Sequence, residues 1–330
     1  MRVIKIRWPV CPFVRKQRIV PISNRQNRQR ANGQPYPYSA DSAEFIFLDS
    51  GREFTMFEAL QFEFMRNALV AGLLASIICG IMGTLVVVNR IVFLSGGIAH
   101  AAFGGIGLAF FCGWHYMVGT IGFSLAAALI MASITLKARH RADTIIGVIW
   151  AVGMATGIIL LDMTPGYNVD LMSYLFGSIL TVPDSDLWMM FGVGVGMLGM
   201  VIYFYNDYLA LSYDEEFARI RGVRVRPLYF LMISMLAVGI VMTIQVVGLI
   251  LVIALLTIPP YIAEKYSKSL IEMMVLSSLL SAVFTVAGLW LSYALNLTSG
   301  ASIILVAGLG FMASFGLDYV WPNLSARPGK

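Results

Sequence analysis

The chain has 330 residues, of which 58% are hydrophobic and 12% charged. An ordinary soluble domain is roughly 45–50% apolar and about 25% charged, so this chain has too little charge to coat a water-soluble globule. A soluble enzyme, a secreted disulfide-stapled domain and a disordered tail are excluded, and continuous rather than alternating apolar runs argue against a β-barrel. The fold class expected is an all-α polytopic membrane protein.

The formal charge of +5 does not mark a nucleic-acid binder, because of where the charge lies. Arg2, Lys5, Arg7, Arg15, Lys16, Arg18, Arg25, Arg28 and Arg30 precede the first acid, Asp41. Residues 1–55 therefore read as a basic N-terminal extension, disordered or untranslated, before a transmembrane domain at 56–320 and a cytoplasmic tail at 321–330. Met56 opens a short, mildly acidic amphipathic stretch, and translation is expected to start at or near it. The rival is a genuine cytoplasmic tail with one span miscounted. The upstream residues lack the apolar core and small-residue cleavage site of a signal peptide.

Hydropathy predicts about nine membrane-spanning helices, near 67–88, 92–113, 116–136, 144–161, 187–206, 228–244, 246–263, 273–295 and 301–317. The sixth and seventh form one uncharged run from Pro227 to Ala263, and Gln245 is expected to mark the reversal. Lys137, Arg139 and Arg141, then Arg219, Arg221, Arg224 and Arg226, then Lys265 and Lys268, then Arg327 and Lys330 fall in alternate loops, which places that side in the cytoplasm. The opposite loops carry Asp162, Asp170, Asp184 and Asp186. Residues 171–182 are apolar but too short to cross, and read as a re-entrant or an interfacial helix.

The second span holds one ionisable side chain, His100, in Ser95-Gly-Gly-Ile-Ala-His-Ala-Ala-Phe-Gly-Gly-Ile-Gly107. Gly97, Ala101, Gly104 and Gly105 leave one face nearly bare for close helix packing. An imidazole at this depth is costly unless it meets a partner or a watery path, and neutral imidazole binds zinc, manganese and iron. His100 is thus either a structural, hydrogen-bonded histidine or a transit ligand. Asp162 and Asp170 are weaker candidates, external-mouth acids that would attract cations or simply be solvated. His115 and His140 read as interface and loop residues. Cys11, Cys79 and Cys112 lack metal or redox spacing.

The loop before the sixth span contains Asp214, Glu215 and Glu216, which favour a helix N-terminus, and Gly222, which supplies a C-terminal turn ahead of Pro227. A short amphipathic helix over 214–222 follows, lying along the cytoplasmic face. It suits either a plain surface helix or a docking element for a soluble motor. The chain has no phosphate-binding Gly-x-x-x-x-Gly-Lys-Ser/Thr loop, so it is expected to be a transport subunit rather than an enzyme.

These features resemble the ABC-transporter permeases for zinc, manganese and iron uptake. The resemblance rests on the Asn89-Arg90 turn with the following Ile91–Gly105 stretch, Leu175-Phe-Gly-Ser-Ile-Leu180, the Asp214–Gly222 loop, Val247–Pro260 and Ser299-Gly-Ala-Ser-Ile-Ile-Leu-Val306. It implies an importer permease in a bacterial inner membrane, with a second permease copy, two ATP-binding subunits, an external metal-binding protein, surrounding lipid and no nucleic acid. No cofactor is implied in this chain; a divalent metal ion is the cargo and ATP belongs to the partner. It also implies that Asp214, Glu215, Glu216, Phe217, Ala218 and Gly222 form the ATPase-coupling loop and that His100 contacts the passing ion.

Where the family pattern reads Gly-Asp-x-x-Ser-His, this chain has Ser95-Gly-Gly-Ile-Ala-His100, so Gly96 replaces a carboxylate on the histidine's own helix face. Ser178 likewise stands where relatives place an acid. Loss of hard oxygen ligands favours zinc over manganese. Alternatives are an ABC importer of a metal chelate or other organic ligand and a stand-alone secondary carrier. The latter is disfavoured by a single intramembrane histidine and the absence of visible repeats.

Overall fold

The computed structural model describes residues 63–137, 141–164, 177, 179 and 182–320. Among these residues there are eleven helices and no strand. Nine of the helices are long and apolar enough to cross a membrane: α1 (Glu63–Val88), α2 (Val92–Cys112), α3 (Tyr116–Lys137), α4 (Ala142–Asp162), α5 (Asp184–Tyr203), α8 (Val225–Val247), α9 (Leu249–Tyr266), α10 (Leu270–Leu295) and α11 (Ser299–Val320). Two short helices, α6 (Tyr205–Tyr213) and α7 (Glu215–Ile220), join α5 to α8. The chain is an all-α, multi-pass membrane protein.

The turns between helices sort into two ends. Asn89 and Arg90, Leu136 and Ala142, Ser212 and Val225, and Glu264 and Lys268 all line one cavity of about 780 Å³, so the turns that carry these residues lie together. At the other end, Asn67 Nδ2 donates to Asp184 Oδ1 at 2.8 Å, and Gln245 Nε2 donates to Asp186 Oδ2 at 2.7 Å and to the Tyr116 hydroxyl. This arrangement requires the chain to reverse between α8 and α9. The reversal falls at Gly248 (φ 88), in the left-handed region open to glycine, rather than at Gln245. Gln245 instead completes α8 and ties it to α3 and α5.

Burial ranks the helices. The apolar window of α2 is 78% buried and that of α8 72%, against 17% for α5 and 22% for α4. Thus α2 and α8 are central, while α5 presents Trp188, Phe191, Val195, Leu198 and Ile202 outward. Lipid tails are as apolar as leucine, so helix association rests on close packing and on satisfied polar groups. Ser76 and Thr285 illustrate the second: their hydroxyls meet at 3.0 Å between α1 and α10, while Ser76 also donates to the Gly72 carbonyl at 2.7 Å.

Lys265 differs from its sequence reading as a loop residue. It lies in the last turn of α9 and is 4% exposed. Its Nζ pairs with Asp318 Oδ2 of α11 at 2.8 Å, donates to Ser314 Oγ at 3.2 Å and sits 3.9 Å from the Phe315 ring centroid. Asp170, Ser178, His140 and Cys11 lie outside the described residues, as does most of the 171–182 segment. Of that segment Ile179 and Val182 are buried, and Gly177 adopts φ 71. A side chain at Gly177 would fall 2.3 Å from the Val247 carbonyl, so Gly177 itself lies against the α8–α9 joint.

Candidate functional site

His100 occupies the middle of α2, where glycine and alanine make the helix narrow. On the facing helix, Trp150, Gly153 and Gly157 recur at three- and four-residue spacing and share one face. A Cβ on Gly157 would lie 2.3 Å from the Phe103 carbonyl oxygen, and one on Gly153 would lie 3.2 Å from the Ala101 Cα. The two backbones are therefore in near contact, a packing that only small residues permit. With the helices that close, the Trp150 ring lies flat on the His100 imidazole, centroids 4.1 Å apart and planes 15° apart. Phe93 also meets the Trp150 ring, tilted by 53° with centroids 5.9 Å apart.

The imidazole is held by stacking rather than by hydrogen bonds. His100 Nδ1 is buried without a hydrogen-bond partner among the described residues. Histidines in resident metal sites nearly always donate their second nitrogen to a carboxylate or carbonyl, and that support is missing here. Among the described residues no group of three or more His, Cys, Asp and Glu side chains could hold a metal ion. At Gly96, one turn before His100, a Cβ would meet nothing within 4 Å. The position of the absent carboxylate is therefore open where its Cβ would stand, not a slot filled by packing.

The structure does not bring the other metal candidates to His100. Asp162 ends α4, exposed, about 18 Å along the helix axis from Trp150 at 1.5 Å per residue. His115 is exposed at the acid-bearing end, stacked on Tyr116 at 5.1 Å. Trp150 escaped the sequence reading, because a tryptophan in an apolar run resembles lipid-facing filler. Its spacing to Gly153 and Gly157 is the signal that could have singled it out.

The second region is the α6–α7 elbow at the basic end. Asp214 caps α7, its carboxylate accepting the Phe217 N–H at 2.9 Å, and Glu215 pairs with Arg219 at 2.5 Å. The helix is shorter than the 214–222 stretch suggested, ending at Ile220, with Gly222 at φ 82 supplying the turn. Only Ala218 of α7 is buried. Phe217 (49% exposed) and Ile220 (84% exposed) project outward, so this short helix exposes its large apolar side chains rather than packing them on its own core. Beside it, a cavity of about 700 Å³ is lined by Asp214, Glu215 and Glu216 and by Lys137, Arg219 and Arg226.

Comparison with known proteins agrees with this architecture. Residues 61–317 match the ABC 3 transport family. An uncharacterized membrane protein of Synechocystis is 49% identical over 259 residues, covering 78% of this chain and 92% of the relative. The manganese import system permease ScaB of Streptococcus parasanguinis is 34% identical, covering 77% and 91% respectively. Among solved structures, PsaBC from Streptococcus pneumoniae in complex with Fab superposes with a TM-score of 0.72 at 34% identity, covering 78% of this chain and 94% of that one. With nine apolar helices, a narrow histidine-bearing α2 and an exposed helix between α5 and α8, this chain belongs to the ABC 3 transport family.

Proposed function

We propose that this chain is the permease of an ATP-driven importer that carries a divalent metal ion across a bacterial inner membrane. It is a transport subunit and not an enzyme. The observation that carries the reading is the family match over 61–317, which spans all nine crossing helices. Two copies of the chain enclose the pathway, two ATP-binding subunits dock below, and an external metal-binding protein delivers the ion. The outward Phe217 and Ile220 of α7 give the motor an apolar foothold, on a helix capped by Asp214 and paired internally through Glu215 and Arg219.

The ion passes His100. Manganese is named in several relatives, whereas the residues here favour zinc. Gly96 leaves open space where a carboxylate's Cβ would stand, and a lone imidazole binds zinc better than manganese. Stacking on Trp150 fixes the ring without a hydrogen bond to raise its basicity. Such a ligand suits brief contact and release.

The test is ATP-dependent uptake of radioactive zinc and manganese into vesicles holding the permease, its ATPase and its binding protein. Zinc uptake should exceed manganese uptake, and His100→Ala should lower it about tenfold at limiting zinc, at least the effect that loss of a ligand's outer-shell partner has at a metal site. Preferential manganese uptake would overturn the zinc assignment. Uptake of neither metal would overturn the function.

A further inference from the structure

A stroke delivered at α7 has to reach α2, yet α7 packs on α6 and α8 rather than on α2. The α1–α2 turn bridges the gap. Its backbone is locked: Ile91 N–H donates to Val86 O at 3.0 Å and Arg90 N–H to Val87 O at 3.0 Å. Arg90 holds φ 57, the left-handed position that a glycine usually fills in this terminating motif. Such a turn moves as one piece with the start of α2, and His100 lies about 12 Å further along that helix.

Asn89 fastens this rigid turn to the elbow. Its Nδ2 donates to Leu85 O at 2.9 Å within α1 and to Ser212 Oγ of α6 at 2.9 Å, with Met232 Sδ of α8 at 3.8 Å. Ser212 stands two residues before Asp214, the residue that caps α7. Higher in the elbow, Tyr208 is wholly buried and its hydroxyl donates to Met235 Sδ of α8 at 3.5 Å. The elbow thus has one anchor on α8 and one on the turn that leads into α2. The junction borders the cavity of about 780 Å³, which leaves it room to shift.

We infer that Asn89 is a positioning residue that transmits the motor's movement from the α6–α7 elbow to α2 through its bond to Ser212. This rests on the proposed function. In proteoliposomes containing the permease–ATPase complex and its binding protein, zinc ions carried per ATP hydrolysed should fall about fivefold in Asn89→Ala and in Ser212→Ala, the equivalent of about 1 kcal/mol for one hydrogen bond. ATP hydrolysis itself should persist. Because the Asn89–Ser212 bond is already lost in Asn89→Ala, the double variant should be no worse than Asn89→Ala alone. Ser212→Thr, which keeps the acceptor, should restore the ratio.

A structural role alone would lower the amount of complex without altering ions per ATP. Wild-type ratios in both single variants, or losses that multiply in the double variant, would overturn the inference. Should Asn89→Ala fail to assemble, Ser212→Ala decides, because it leaves the α1–α2 turn intact. If the wild-type complex carries zinc and Ser212→Ala matches it, the Asn89 inference alone falls. If the wild-type complex carries no divalent metal, both readings fall.

Discussion

Gly157→Ala adds one methyl group at the place where α2 and α4 touch. The new Cβ would stand 2.3 Å from Phe103 O, 2.5 Å from Phe103 C and 2.9 Å from Gly104 N. All three are backbone atoms, so no side chain can rotate away. Carbon meets a carbonyl oxygen at roughly 3.3 Å, which means that the helices must part by about 1 Å. Overpacking of this kind costs about 1–3 kcal/mol, against a gain of about 1 kcal/mol in helix propensity. Trp150 is two turns away on the same face of α4, so the displacement also loosens its stack on His100. Thermal unfolding in detergent should show a midpoint lower by about 2–5 °C, and zinc uptake at limiting zinc should fall. Gly122→Ala in α3, where a Cβ meets nothing within 4 Å, is the control and should be neutral or slightly stabilising. Wild-type midpoint and uptake in Gly157→Ala would refute the claim that these two backbones are in contact.

Lys265→Ala should destabilise the α9–α11 pair by about 2 kcal/mol, because it removes the ammonium that neutralises Asp318, leaving the Tyr266 hydroxyl on that carboxylate, and empties a buried site. Lys265→Met with Asp318→Leu should recover most of that loss in the same unfolding assay, since a well-packed apolar pair replaces a buried ionic one at little cost. Burial pushes the Tyr208 phenol up to about 12 from 10.0. The unfolded chain then releases this proton first as pH rises, so stability is unaffected below pH 10 and declines by about 2 kcal/mol between pH 10 and 12. Tyr208→Phe should remove that alkaline decline from the unfolding profile, and an unchanged slope would count against the buried phenol.

Some features of the site were legible because they are local. His100 stands out because a single ionisable group in an apolar span is visible without knowing its neighbours, and Asp214 because an acid before a short helix is a capping signal in any context. Others needed the third dimension. Phe217 and Ile220 look like core residues by composition but face outward, and Ala218 is the one residue of α7 that is buried. Lys265 follows a hydropathic span and so reads as a loop charge. It is buried because Asp318, fifty-three residues later, arrives on α11 to neutralise it.

The sequence by itself determined the membrane class and the nine apolar helices found among the described residues, because the transfer of each segment from water to lipid depends on that segment's own composition. Tertiary structure decided where the chain reverses at Gly248, which tryptophan lies on His100 and how Asn89 reaches Ser212. The first two depend on backbones close enough to touch, at Gly177 against the α8–α9 joint and at Gly157 against α2, and the third on a side-chain hydrogen bond between residues far apart in the chain. Hydropathy records what a helix avoids; only packing shows what it meets.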